Sequence, residues 1–272
     1  MSGRPFVYCL NTSTIRPTPL LEKIKVAGNA GYEAIEPWND EVDAYLAQGG
    51  SLFELRSALS DAGLKVVSMI ALHGWINSDG LAHTRCLEDC RRRMDQASFL
   101  GSPYIVASPP REAVDIPMAV TRFAELLAMG KTAGVEPSME FLGFVDGIKS
   151  VESALAIAEG SGVPGATVVA DVFHMIRGGG GVDDLLKLRG DQLACFHVND
   201  VPEFPDPLTQ TDSDRVLPGE GIADLPRVFA NLRAIGYRGP ISLELFNPTL
   251  WAKDPREVVK VGLERIRGLV EG

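Results

Sequence analysis

Cysteine is scarce in this chain. There are four in 272 residues, at Cys9, Cys86, Cys90 and Cys195, and no two form a CxxC pair. That excludes a disulfide framework and leaves reduced, structural thiols in a cytoplasmic protein as the expectation. Cys86 and Cys90 stand four apart in an expected helix, with no second pair to complete a metal site. Positive charge is in deficit: 26 Lys and Arg face 36 Asp and Glu, a net charge of −10. A nucleic acid or an anionic membrane surface is thereby disfavoured as partner, because both demand clustered basic residues. Long apolar runs are missing too. The richest, Val66 to Leu72, is interrupted at Ser68 and ends at His73 and Gly74, far short of a bilayer span. The opening MSGRPFVYCLNTS holds no apolar segment of signal-peptide length. The first expected strand runs into Asn11-Thr12-Ser13-Thr14 rather than a glycine-rich phosphate turn, which argues against a doubly wound nucleotide-binding sheet. The one glycine run, Gly178–Gly181, comes late, lacks the phosphate-loop spacing and reads as a flexible loop.

What is present is a folded chain, 45% hydrophobic and 23% charged. Short β-branched runs alternate with segments of helical apolar spacing almost from end to end. Strands are expected at Phe6–Leu10, Glu33–Pro37, Lys65–Leu72, Tyr104–Ala107, Ser138–Leu142, Thr167–Val172, Leu193–Val198 and Ile241–Phe246. Helices are expected at Leu20–Ala30, Leu52–Ala62, Thr84–Leu100, Met118–Ala133, Val151–Glu159, Leu225–Ile235 and Pro255–Val270. Gly31, Gly63, Gly101, Gly134, Gly160 and Gly236 fall where left-handed helix ends belong. Eight strands at about 34 residues each is the repeat of a closed α/β architecture, the (β/α)8 TIM barrel. No linker divides the chain, so residues 1–272 are expected to form a single domain.

In such a barrel the reactive groups stand at the C-terminal ends of the strands. Four successive strands there carry Glu140, Asp171, His197 and Glu244. Alternation turns the apolar Ile241, Leu243, Leu245, Ala194, Phe196 and Val198 toward the helices, so Glu244 and His197 point to the barrel axis, and the same count sends Asp171 inward. Three carboxylates and an imidazole converging on one point repel one another unless a cation joins them. One divalent metal ion is therefore expected, with an oxygen-rich set suited to Mn²⁺, Mg²⁺ or Co²⁺ and tolerant of Zn²⁺. Taken singly, each of these residues is as readily a solvated or ion-paired strand end; the case rests on their coincidence.

The segments DVFHM (171–175), FHVND (196–200), DRVLPGEG (214–221) and SLELFNP (242–248) resemble the sugar phosphate isomerase/epimerase family, the xylose-isomerase-like TIM barrels. With EFLGF (140–144), the C-terminal half is most similar to the inosose (2-keto-myo-inositol) isomerases. The resemblance implies metal ligands at Glu140, Asp171, His197 and Glu244. It also implies proton transfer by Glu140 and Glu244, and substrate contacts from His174 and Arg215. Glu36 and His73, at the ends of the second and third strands, are further expected to line the substrate pocket. Arg215 lies in the long Pro- and Asp-rich segment 202–221, expected to be mobile and able to close over the site. Asp200 is expected to hydrogen-bond a ring nitrogen or the loop backbone.

These readings converge on a metal-dependent isomerase or epimerase of a polyhydroxy ketone, of inosose or ketose type, working through an enediolate. The partner is a small polyol or keto-sugar, and a homo-oligomer is compatible with the apolar first helices. A dehydratase of a keto-sugar or keto-inositol uses the same intermediate and is the alternative. An abasic-site endonuclease shares the barrel, but its histidine-rich metal cluster does not fit four histidines and a charge of −10. A non-catalytic sugar-binding barrel has no need of two glutamates around a metal.

Overall fold

The structure is a computed structural model and describes residues 6–271. Its strands are β1 (Val7–Asn11), β2 (Ala34–Glu36), β3 (Lys65–Val66), β4 (Met69–Leu72), β5 (Tyr104–Ala107), β6 (Glu136–Glu140), β7 (Val168–Asp171), β8 (Leu193–Val198) and β9 (Pro240–Leu243). They form one parallel sheet in the order β3-β2-β1-β9-β8-β7-β6-β5-β4. The single run expected at Lys65–Leu72 is split at Val67-Ser68 into β3 and β4, which together fill one barrel position. The front half pairs with β2 and the back half with β5. Closure is completed by a parallel bridge between Trp38 and Ile70, where the Ile70 N–H donates to the Pro37 carbonyl at 3.2 Å. The eight-position TIM barrel is thus present, as one domain across the described residues.

Each expected helix forms, with ends shifted by a few residues: Leu20–Ala30, Leu52–Asp61, Gly80–Phe99, Ile116–Ala133, Val151–Gly160, Leu225–Ala234 and Pro255–Glu271. Local chemistry starts them. Ser51 and Glu54 form a reciprocal capping box, and Asp115 accepts the Met118 N–H ahead of Pro117. Short helices at Asn39–Ala47, Val172–Arg177 and Pro248–Trp251 were not signalled by apolar spacing. Gly160 departs from its expected role. It is the last helical residue and Gly162 takes the left-handed position, φ +71°. At Gly160 a Cβ would stand 3.0 Å from Val120 Cγ2, so glycine there serves a close helix–helix approach.

Two apolar cores follow from strand alternation. The larger fills the space between barrel and helices and includes Phe196, Val198, Ile241, Leu243 and Leu245. The smaller lies inside the barrel and consists of Ile70, Ala71, Val106, Val169 and Cys195, with Trp38 packed against it. That inner plug floors the barrel and leaves its C-terminal end to polar residues. No helix among the described residues is long and apolar enough to cross a membrane.

Candidate active site

Glu140 and Asp171 are the last residues of β6 and β7, His197 is the penultimate residue of β8, and Glu244 follows β9. Parallel register sets Asp171 beside His197 and His197 beside Ser242, and the Glu244 N–H extends the ladder to the Val198 carbonyl. All four side chains meet. His197 Nδ1 lies 3.2 Å from Glu244 Oε2, 3.8 Å from Asp171 Oδ2 and 3.9 Å from Glu140 Oε1. Asp171, His197 and Glu244 present one ligand atom each within 4.8 Å of one another. Glu140 stands slightly apart, its Oε2 accepting from Ser108 Oγ at 2.8 Å. Asn199 Nδ2 donates to both Asp171 oxygens, at 3.2 and 3.1 Å, fixing that carboxylate in the plane it needs.

The electrostatics of the cluster are unbalanced. Burial, seconded by Glu244 and Asp171, pushes the Glu140 carboxyl up to about 8, against the pull of His197 and Ser108. Burial would also raise Glu244, but His197 and Arg215 hold it below the usual carboxylate range. Burial would lower His197, but Glu244 and Glu36 outweigh it and hold the imidazole well above its usual value. Burial drives His174 down to about 3, so that ring is neutral.

His197 Nδ1 is buried and has no aligned hydrogen-bond partner, although three carboxylates face it. An orphaned imidazole nitrogen among carboxylates is the donor set of a divalent-cation site. The residues therefore fit a metal ion held by Glu140, Asp171, His197 and Glu244.

Arg215 is placed differently from the mobile residue expected in segment 202–221. It is 1% exposed, and its Nη1 donates to Asp171 Oδ2 at 2.8 Å and to Glu244 Oε2 at 2.7 Å. Its Nη2 donates to Asp212 Oδ1 at 2.6 Å and lies 3.0 Å from His174 Nε2. Phe173 and Phe246 cover the guanidinium at 4.7 and 5.1 Å. The segment is pinned to the barrel. Asp200 accepts the Val201, Gly219 and Ala223 N–H groups, so it binds the loop backbone rather than a ring nitrogen. The Gln210 amide donates to the Pro202 and Pro205 carbonyls. The Arg215 carbonyl accepts from Asn247 Nδ2.

A cavity of about 390 Å³ opens above the cluster. Glu140, His174, Arg215 and Glu244 reach it, Trp38, Phe144 and Phe246 wall it, and His73 and Arg111 stand at its exposed side. Glu36 does not reach it. It is fully buried beneath His197, 3.0 Å from Nε2, because alternation in β2 turns it into the barrel and Asn11 and Ser242 hold it there. The expected pocket role for Glu36 is corrected accordingly. Gly178 is likewise packed rather than loose: a Cβ there would stand 2.5 Å from the Lys149 carbonyl oxygen. Asn11, Ser108, Arg111 and Asp212 were not marked as site residues in the sequence. The first two sit at or just past strand ends, the one signal that could have found them.

Residues 24–269 match the family described as xylose isomerase-like TIM barrel. An inosose isomerase of Halalkalibacterium halodurans is 28% identical over 93% of this chain and 92% of its own length. A 3-dehydroshikimate dehydratase of Pseudomonas putida is 23% identical over 93% of this chain but only 40% of its own length. Among solved structures, the IOLI protein with a bound zinc atom superposes with a TM-score of 0.90 at 25% identity, covering 97% of this chain and 98% of that one. With 246 of its residues matched, this chain belongs to the xylose isomerase-like TIM barrel family.

Proposed function

We propose that this chain is a metal-dependent isomerase or epimerase of a polyhydroxy ketone of the inosose or ketose type. The observation that carries it is the convergence of Glu140, Asp171, His197 and Glu244 around the orphaned His197 Nδ1, at the floor of a polyol-sized cavity. The inosose isomerase relatives and the zinc-bound structural neighbour support the same reading.

A divalent ion held by those four residues supplies Lewis-acid polarisation of the ketone and offsets the charge that develops on its oxygens. The rest is done by the protein. One of Glu140 and Glu244 removes the proton from the carbon beside the carbonyl, and the other returns a proton to the same or the neighbouring carbon of the enediolate. Both are buried at rigid strand ends, so neither spends conformational entropy to reach its proton. Arg215 and neutral His174 orient substrate hydroxyls. Trp38 and Phe246, edge to face at 5.7 Å, offer apolar surface to the C–H faces of a ring.

Expelling a β-hydroxyl from the same enediolate makes a dehydratase, and the dehydratase relative keeps that second reading in place. Incubation of metal-loaded protein with inososes and ketohexoses in D₂O separates the outcomes. Deuterium in recovered substrate or its isomer supports the isomerase or epimerase, an unsaturated product one water lighter supports the dehydratase, and no exchange with any such ketone overturns both.

A further inference from the structure

We propose that Glu36 is a positioning residue for the metal: it grips His197 from behind, so that Nδ1 keeps facing Glu140, Asp171 and Glu244. The inference rests on the metal-site reading above. Glu36 is 0% exposed, and three groups converge on a single oxygen, Oε2: Asn11 Nδ2 at 2.9 Å, Ser242 Oγ at 2.8 Å and His197 Nε2 at 3.0 Å. The other oxygen, Oε1, has no partner. Neither ring nitrogen of His197 meets full hydrogen-bond geometry, but an ionised carboxylate only accepts, so Glu36 at 3.0 Å favours the tautomer with its hydrogen on Nε2. A neutral imidazole with its hydrogen on Nε2 presents a lone pair at Nδ1, and that lone pair points into three carboxylates. Without an ion, Arg215 Nη1 offsets two of these carboxylates by donating to Asp171 Oδ2 and Glu244 Oε2; a cation standing among them would take the Nδ1 lone pair as a ligand.

The grip is extended by one amide. Asn11 Nδ2 has two hydrogens, and they go to Glu36 Oε2 at 2.9 Å and to Glu244 Oε1 at 3.0 Å. Its carbonyl accepts from Trp38 Nε1 at 2.9 Å and from the Ser13 N–H at 3.0 Å, so the amide cannot turn without breaking four contacts. Asn11 therefore couples the carboxylate behind the imidazole to the carboxylate beside it. Register makes this possible: Asn11 pairs with Glu36 across β1 and β2, and His197 with Ser242 across β8 and β9.

Glu36, Cys195 and His197 also lie within 4.8 Å of one another, so a rival reading makes Glu36 a ligand of a second ion. Glu36 Oε2 already accepts from two donors besides facing the imidazole, which favours the positioning role.

The test measures metal, not turnover. Zinc affinity is read by competition with a chromogenic chelator, Co²⁺ coordination by its visible absorption, and stoichiometry by elemental analysis, for wild type, Glu36→Gln and Glu36→Ala. Glu36→Gln keeps an acceptor oxygen on Asn11 and Ser242 but loses the charge, and affinity should fall by ~10-fold. Glu36→Ala releases the ring; affinity should fall by ~10²-fold and the Co²⁺ bands should shift. If Glu36→Ala does not fold, Glu36→Gln decides alone, its fold checked by far-UV circular dichroism. Wild-type affinity and spectrum in Glu36→Gln and in any folded Glu36→Ala overturns the inference and leaves the metal site standing. Two ions per wild-type chain, one of them lost in Glu36→Gln, overturns it in favour of a ligand role. A wild type that binds no divalent ion overturns it together with the proposed function.

Discussion

The two halves of the barrel put charge to different uses. Strands β6 to β9 end in Glu140, Asp171, His197 and Glu244, and all four meet at the mouth. Strands β1 to β5 bring a single carboxylate into the barrel, Glu36, and bury it one layer lower. Around it they contribute Asn11, Trp38 and Ser108, neutral groups that hold the charged ones. On the proposed function, one half supplies the reactive atoms and the other fixes where they point. The segments that carry the family resemblance lie in the first of these halves, whereas the second shows only strand spacing.

The comparison breaks most severely at the ligands. His197→Ala should lower metal affinity by at least ~10²-fold, and more than His174→Ala, in chelator competition. Equal affinity in wild type and His197→Ala would remove His197 from the site. Glu140→Gln and Glu244→Gln should each cut turnover by at least ~10²-fold with metal bound, the scale of losing a general base. Near-normal turnover in Glu244→Gln would send the search for the base to His73 and His174.

Next in size is Arg215→Ala, which strips Asp171 and Glu244 of a buried counter-charge. Without metal it should cost about 3–5 kcal/mol in urea unfolding, and added Zn²⁺ should restore part of that by neutralising the same carboxylates. An equal loss with and without metal would separate the guanidinium from the metal site. With substrate the same variant should raise KM more than it lowers kcat.

Acid–base linkage gives a smaller signature of the charged half. Glu140 is raised to about 8 and His197 is raised above its usual value in the folded chain. Each then binds its proton more tightly folded than unfolded, so each contributes stability that is lost as pH rises. His174, lowered to about 3, acts in the opposite sense, but only below pH ~6.5. Metal-free protein should therefore lose stability between about pH 6.5 and 8, by a few degrees in Tm. The metal-loaded form, with its carboxylates ionised and Nδ1 deprotonated by the ion, should stay flat. A flat metal-free profile would mean that Glu140 and His197 do not share one field.

The mildest variant probes the neutral half. Ser108→Ala removes one hydrogen bond to a charged group and should cost about 1–2 kcal/mol, roughly 5- to 30-fold in turnover, with metal affinity nearly unchanged. A larger loss than in Glu140→Gln would reverse the division of labour.

The barrel and the convergence of Glu140, Asp171, His197 and Glu244 at one end of it were legible because both rest on local pattern. Strand alternation alone turned Glu244 and His197 inward, and the helices followed apolar spacing. The break at Val67-Ser68 was not legible, since it depends on Trp38 reaching Ile70 to close the sheet. Nor was the depth of Glu36. A strand end says which face a side chain takes, but the oxygen's partners come from Asn11 and from Ser242, 206 residues away. Arg215 misled for a related reason. Pro- and Asp-rich composition suggests freedom, whereas the restraints come from Asp200, Gln210 and Asn247 acting on backbone atoms, and such contacts leave no motif.

Asp200 clasps both ends of segment 202–221, through Val201 on one side and Gly219 and Ala223 on the other, and its backbone pairs with Val216. The clasp works like the neck of a bag. What hangs beyond it, the exposed stretch around residues 206–209, can be lengthened, shortened or rewritten while Gln210 and the guanidinium delivered at 215 stay in place against β7 and β9. A lineage could thus vary this surface excursion with the chemistry below left intact.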